Sequence, residues 1–208
     1  MEPKVVDATS KLSRHIIVGL LSFVLVYLFL RSGLETKRAF SLSAFILLFL
    51  VMVIGPAMRL YRPLVRMFPW QIPWGWRGEL GVWFVLLAVG HAAFIYYERK
   101  WSLALLDAGD FLGLVALFWG LALAATSFAR AIRFLGMENW KWLHGFSYVI
   151  FYFAATHILY RSFLNPGLPL GRPQWFYLAM TVAVVVLQIA AFIKNVIDYK
   201  KSTKVEVS

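Results

Sequence analysis

Six apolar runs divide the chain: about His15 to Leu30, Ala39 to Met58, Glu79 to Tyr97, Phe111 to Phe128, Lys141 to Leu164 and Trp175 to Ile193. Each has roughly the 17–25 residues that a helix needs to cross a hydrocarbon core about 30 Å thick. Charged residues, Pro and Gly collect between the runs, as in Arg31-Ser32-Gly33 and Asn165-Pro166-Gly167-Leu168-Pro169. The pattern predicts an all-α fold, a six-helix transmembrane bundle. The first run has a long polar lead containing Lys4, Lys11 and Arg14, and no small-residue cleavage site follows it, so it reads as a retained span and not a signal peptide. Between the second and third runs lies a basic, aromatic loop with Arg59, Arg62, Arg66, Arg77, Trp70, Trp74 and Trp76 among Pro63, Pro69 and Pro73. Such aromatics belong at headgroup level. The organisation expected is an N-terminal segment 1–14, one transmembrane domain 15–194 and a hydrophilic tail 195–208, with no internal repeat and no linker to a second domain.

Composition sharpens this reading. Among the 208 residues, 61% are hydrophobic, and the mean hydropathy is +0.72, well above a soluble domain in which about half the residues are apolar. The formal charge of +11 then reads as a topology signal and as contact with lipid headgroups. No basic stripe sits on a soluble fold, so nucleic-acid binding is set aside. With six spans both termini share a side, which carries fourteen Lys and Arg against seven on the other; the positive-inside rule places both termini in the cytoplasm. The absence of cysteine excludes disulfides, thiolate metal sites and covalent Cys-x-x-Cys-His haem attachment.

Histidines carry the candidate chemistry. On the expected topology the third and fifth spans run in the same direction. His91 lies 14 residues past Arg77 and His157 lies 16 past Lys141, or about 21 and 24 Å of helix rise. Two imidazoles from different helices at one level, near the outer face, can clamp a flat macrocycle as axial ligands, which is how haem is held. Gly90 beside His91 and Gly145 beside His144 are expected to give a ring room to approach the backbone. His144 lies at the other end of the fifth run. A second haem there would need a partner near Arg77 or Gly78, neither of which ligates, while His15 has a suitable depth. Thirteen residues at 3.6 per turn also leave His144 and His157 off a common face unless the helix bends or bulges. Arg77, Arg130 and Arg133 can pair haem propionates or a flavin phosphate, or simply set topology. An intramembrane histidine can also do no more than hydrogen-bond across helices. A haem-free proton or metal transporter lined by His91, His144 and His157 is the non-enzyme alternative, against which stands the lack of Asp or Glu in the middle of any run.

Several residues resemble a known family. Arg77-Gly78-Glu79-Leu80-Gly81-Val82-Trp83 with His91 ten residues after Gly81, then Thr126-Ser127, Leu135-Gly136, Trp140-x-x-Leu143-His144 and His157, resemble the ferric-reductase-like transmembrane family, and within it the haem-binding subunits of protein-methionine-sulfoxide reductase systems. The resemblance spans about residues 55–195. It implies a multi-pass b-type cytochrome of the bacterial inner membrane, an electron-transfer subunit without a substrate-reducing site of its own. Its implied cofactors are one or two haem b groups and FMN, with His91, His144 and His157 at the motif's histidine positions. The implied donor is a cytoplasmic flavin reductase or quinone; the implied acceptor is a periplasmic molybdopterin reductase that repairs methionine sulfoxide. The family's paired arginines stand here as Arg77-Gly78, and the loop before Trp140 is one residue longer. A stand-alone transmembrane ferric or quinol reductase is the competing reading within the family.

Overall fold

In lipid every backbone N–H and C=O must be paired within its own segment, so apolar runs of this length have the helix as their solution. The computed structural model describes residues 8–61, 76–100, 102, 106–163 and 172–206, and among them the elements are α1 (Ala8–Arg31), α2 (Thr36–Leu60), α3 (Arg77–Glu98), α4 (Ala108–Ala125), α5 (Ala129–Leu135), α6 (Met137–His144), α7 (Ser147–Phe163) and α8 (Arg172–Glu206). The aromatic loop with Arg62, Arg66, Trp70 and Trp74 and the Asn165–Pro169 break lie outside the described residues. Among the described residues, five helices (α1, α2, α3, α4 and α8) are long and apolar enough to cross a membrane. The chain is a multi-pass helical membrane protein.

Two differences from the hydropathy reading bear on the site. The run from Lys141 to Leu164 is not one helix: α6 ends at His144, and α7 starts at Ser147 with 17 residues, a rise of about 26 Å. At the joint, Gly145 N–H donates to Trp142 O (3.0 Å), Phe146 N–H to Leu143 O (3.0 Å) and Tyr148 N–H to Gly145 O (3.2 Å). These tight i to i−3 bonds mark a 3₁₀ joint, not a π-bulge. Hydropathy cannot detect it, because Gly145 and Phe146 keep the run apolar. The expected tail from residue 195 also continues as helix to Glu206. The 35 residues of α8 rise about 52 Å, so its charged end projects past any hydrocarbon layer, helped by the Lys194–Asp198 pair at i, i+4 (3.3 Å).

Helix directions follow from contacts at both ends. Lys37 at the start of α2 pairs with Glu98 at the end of α3, while Gly55 near the end of α2 faces Arg77 at the start of α3. The two are antiparallel. Likewise Gly109 at the start of α4 meets His157 and Tyr160 late in α7, and Thr126 at the end of α4 meets Trp140 of α6. α1 lies parallel to α3, with the Trp83 indole donating to His15 O (2.9 Å) and filling the notch left by Gly19. α2 is the central post, packed on α1, α3, α7 and α8. Its Phe45 stacks on the fully buried Phe151 of α7 (5.9 Å) and meets Tyr177 of α8 edge-on (5.3 Å). The pairs α2–α3 and α4–α7 thus face each other, and the site lies between them.

Candidate functional site

An elongated cavity opens between these four helices. It is lined by Phe45 and Ala44 of α2, His91 and Ala88 of α3, Asp110 and Gly113 of α4, and His157 and Ala154 of α7, among others. Its cavity volume is about 100 Å³. Apart from the two imidazoles, Ser41, Tyr96 and Asp110, the lining is apolar. The structure brings His91 and His157 together in one cavity from two helices, and it does not bring His144, His15 or Arg77 to that cavity.

Both imidazoles are held by the same device. His91 Nδ1 bonds the Lys37 carbonyl in the first turn of α2 (2.8 Å), and His157 Nδ1 bonds the Gly109 carbonyl in the first turn of α4 (2.6 Å). A carbonyl can only accept, so each Nδ1 carries a proton, and in the neutral ring each Nε2 keeps its lone pair. This is the second-shell arrangement that fixes tautomer and ring direction in metal-ligating histidines. Among the described residues, no group of three or more His, Asp or Glu forms a cluster able to hold a bare metal ion. The donor set is two imidazoles on an otherwise largely apolar cleft, a lining that would suit haem.

The glycine that matters here is one the sequence did not single out. A Cβ on Gly113 would sit 3.1–3.4 Å from Nδ1, Cε1 and Cγ of His157, so the bare backbone of α4 gives the imidazole its seat. The glycines expected to admit a macrocycle do something else. Gly90 makes room for Phe40, and the missing side chain of Gly145 accommodates the Trp142 carbonyl at the α6–α7 joint.

The same end of the bundle carries a charge network. Asp107 caps α4: its carboxylate accepts from Asp110 N–H (2.8 Å), and the Asp110 carboxylate accepts from Asp107 N–H (3.2 Å), a capping box. Arg161, one turn beyond His157, donates to both oxygens of Asp107 at 3.0 Å and to Asp110, and Arg99 donates to Asp110 as well. Asp110 is only 7% exposed and lines the cavity. Its burial is tolerable because two guanidinium groups pair it. Sequence reading placed Asp110 in a polar connection and counted Arg161 only toward topology; the Asp107-x-x-Asp110 spacing ahead of an apolar run was the available signal.

At the opposite end, His144 lies against the Trp140 ring (centroids 4.1 Å apart). Its Nε2 is 3.4 Å from Thr126 Oγ1, a hydroxyl that donates to Ala122 O and Leu123 O, so His144 is the donor in that long contact. Burial holds the His144 imidazole below its ordinary value, and the Arg77 guanidinium acts in the same direction. Arg77 starts α3 beside Gly55; Arg130 and Arg133 are exposed on α5. His15 contributes its backbone carbonyl to Trp83. No family model matches the chain, and no curated protein matches it.

Proposed function

We propose that this chain is a b-type haem electron conduit of the MsrQ type, with six membrane-crossing helices, both termini in the cytoplasm of a bacterium, and His91 and His157 as axial ligands of a haem near the periplasmic face. The observation that carries the reading is the matched pair of imidazoles, each with Nδ1 anchored on a first-turn carbonyl and Nε2 left with its lone pair in one cavity. When bound, the haem supplies one-electron chemistry; the protein supplies position, ligand basicity and an apolar surrounding. His91 and His157 would hold the iron. The carbonyls of Lys37 and Gly109 orient the rings and strengthen the imidazoles as donors. Phe45, Ala88 and Ala154 exclude water from the cleft.

The alternation of helix directions supports an even number of crossings, with α7, between α4 and α8, added to the five long helices, and the excess of Lys and Arg at the terminal side supports a cytoplasmic placement. At that inner end His144, Trp140 and Arg77 would receive the electron from a quinone or from FMN, whose phosphate Arg77 would pair. The electron acceptor is a periplasmic molybdopterin methionine sulfoxide reductase. In membranes containing that reductase, its reduction should depend on this chain and stop in His157→Ala. Reductase turnover that persists at the parental rate in His157→Ala membranes overturns the proposal.

A further inference from the structure

Each axial histidine is accompanied by an ion pair that ties its helix to the same neighbouring turn. On α7, Arg161 follows His157 by one turn and holds Asp107 and Asp110, the residues flanking Gly109, whose carbonyl accepts from His157. On α3, Glu98 follows His91 by two turns and pairs with the side chain of Lys37 (2.8 Å), whose carbonyl accepts from His91. The arrangement occurs twice, on two separate antiparallel helix pairs. The two copies are unequal. The Arg161–Asp107 pair is about as exposed (30% and 50%) as Lys37–Glu98 (32% and 54%), and exposed pairs hold geometry weakly, but Arg161 also holds Asp110, which is 7% exposed and paired by Arg99 as well.

Resting on the reading of His91 and His157 as ligands, we propose that Arg161 and Asp107 with Asp110 are positioning residues for His157, that Lys37 with Glu98 is the looser counterpart for His91, and that the unequal clamps make His91 the more readily released imidazole. The Arg161 clamp fixes the first turn of α4 against α7, which keeps the Gly109 carbonyl in line with Nδ1. Without it that turn can fray, the bond to Nδ1 weakens, and His157 loses its reason to prefer one tautomer. Glu98 acts on His91 in the same way, from a weaker starting point.

The test uses the full chain in detergent, labelled with ¹⁵N-histidine, without and with haem. In the haem-free parent, His91 and His157 should each show the Nδ1–H tautomer. Arg161→Gln should lower the His157 tautomer ratio about fivefold, the equivalent of one net hydrogen bond, and leave His91 unchanged. Arg161→Lys should restore most of it. Glu98→Gln should shift His91 alone. The unchanged His91 signal serves as the internal check of folding; if Arg161→Gln loses it, Asp110→Asn, which takes the buried carboxylate from Arg161 while Asp107 still caps α4, decides in its place with the same expected direction. In the haem-loaded protein, carbon monoxide should displace His91 faster in Glu98→Gln than in the parent. A His157 tautomer ratio identical to the parent in the folded variant overturns the clamp. A parent with fixed tautomers that takes up no haem leaves the clamp standing and removes the ligand reading.

Discussion

Gly113 offers the sharpest probe of the seat beneath His157. An added Cβ would stand 3.1 Å from Nδ1 and 3.2 Å from Cε1, where comfortable contact begins at about 3.5 Å, so Gly113→Ala must move the ring by about 0.4 Å toward the cavity. Alanine in a helix interior gains about 0.5–1 kcal/mol over glycine, and overpacking costs about 1–3 kcal/mol; the net loss of stability should lie between about 0 and 2.5 kcal/mol. Gly113→Val carries two more methyls that have to enter the cleft or press on the imidazole, which its 2.6 Å bond to Gly109 O holds in place. The expected result is a folded protein, by helical circular dichroism and thermal melting, with haem content falling progressively from parent to Ala to Val. Parental haem content and an unchanged spectrum in Gly113→Val would refute the seat.

Three further outcomes are expected. Because His144 is held below its ordinary value, the unfolded chain takes up its proton first as pH falls, so the stability His144 contributes is complete above about pH 6.5 and declines below it; His144→Gln should flatten that part of the melting temperature profile relative to the parent. Phe151→Ala removes a fully buried ring stacked on Phe45 and should cost about 3 kcal/mol in detergent unfolding. Trp83→Ala loses the bond to His15 O and empties the Gly19 notch, so limited proteolysis should cut the start of α1 sooner while haem binding persists.

What was legible in the sequence was set by depth and period. Helix rise from Arg77 and Lys141 put His91 and His157 at one level, and the structure lines one cavity with both. Helix periodicity also warned that His144 and His157 do not share a face. The tight joint at Gly145–Phe146, which leaves His144 outside the cavity that His157 lines, is a matter of backbone hydrogen bonding inside an unbroken apolar run, to which hydropathy is blind. Gly113 was invisible for a related cause: its role is the space it leaves for a side chain 44 positions away in the sequence. Arg161 and Asp110 looked like boundary charges because charge counting records side of membrane, not partners. Their pairing depends on α4 and α7 being antiparallel neighbours, which only the packed bundle specifies.

The most direct measurement is the pyridine haemochrome of the purified chain, expressed per polypeptide, alongside His91→Ala and His157→Ala. The account predicts haem b at one per chain in the parent and its loss in both variants, with His144→Ala retaining it. A colourless parent, or variants at His91 and His157 that keep the full parental haem, would contradict it.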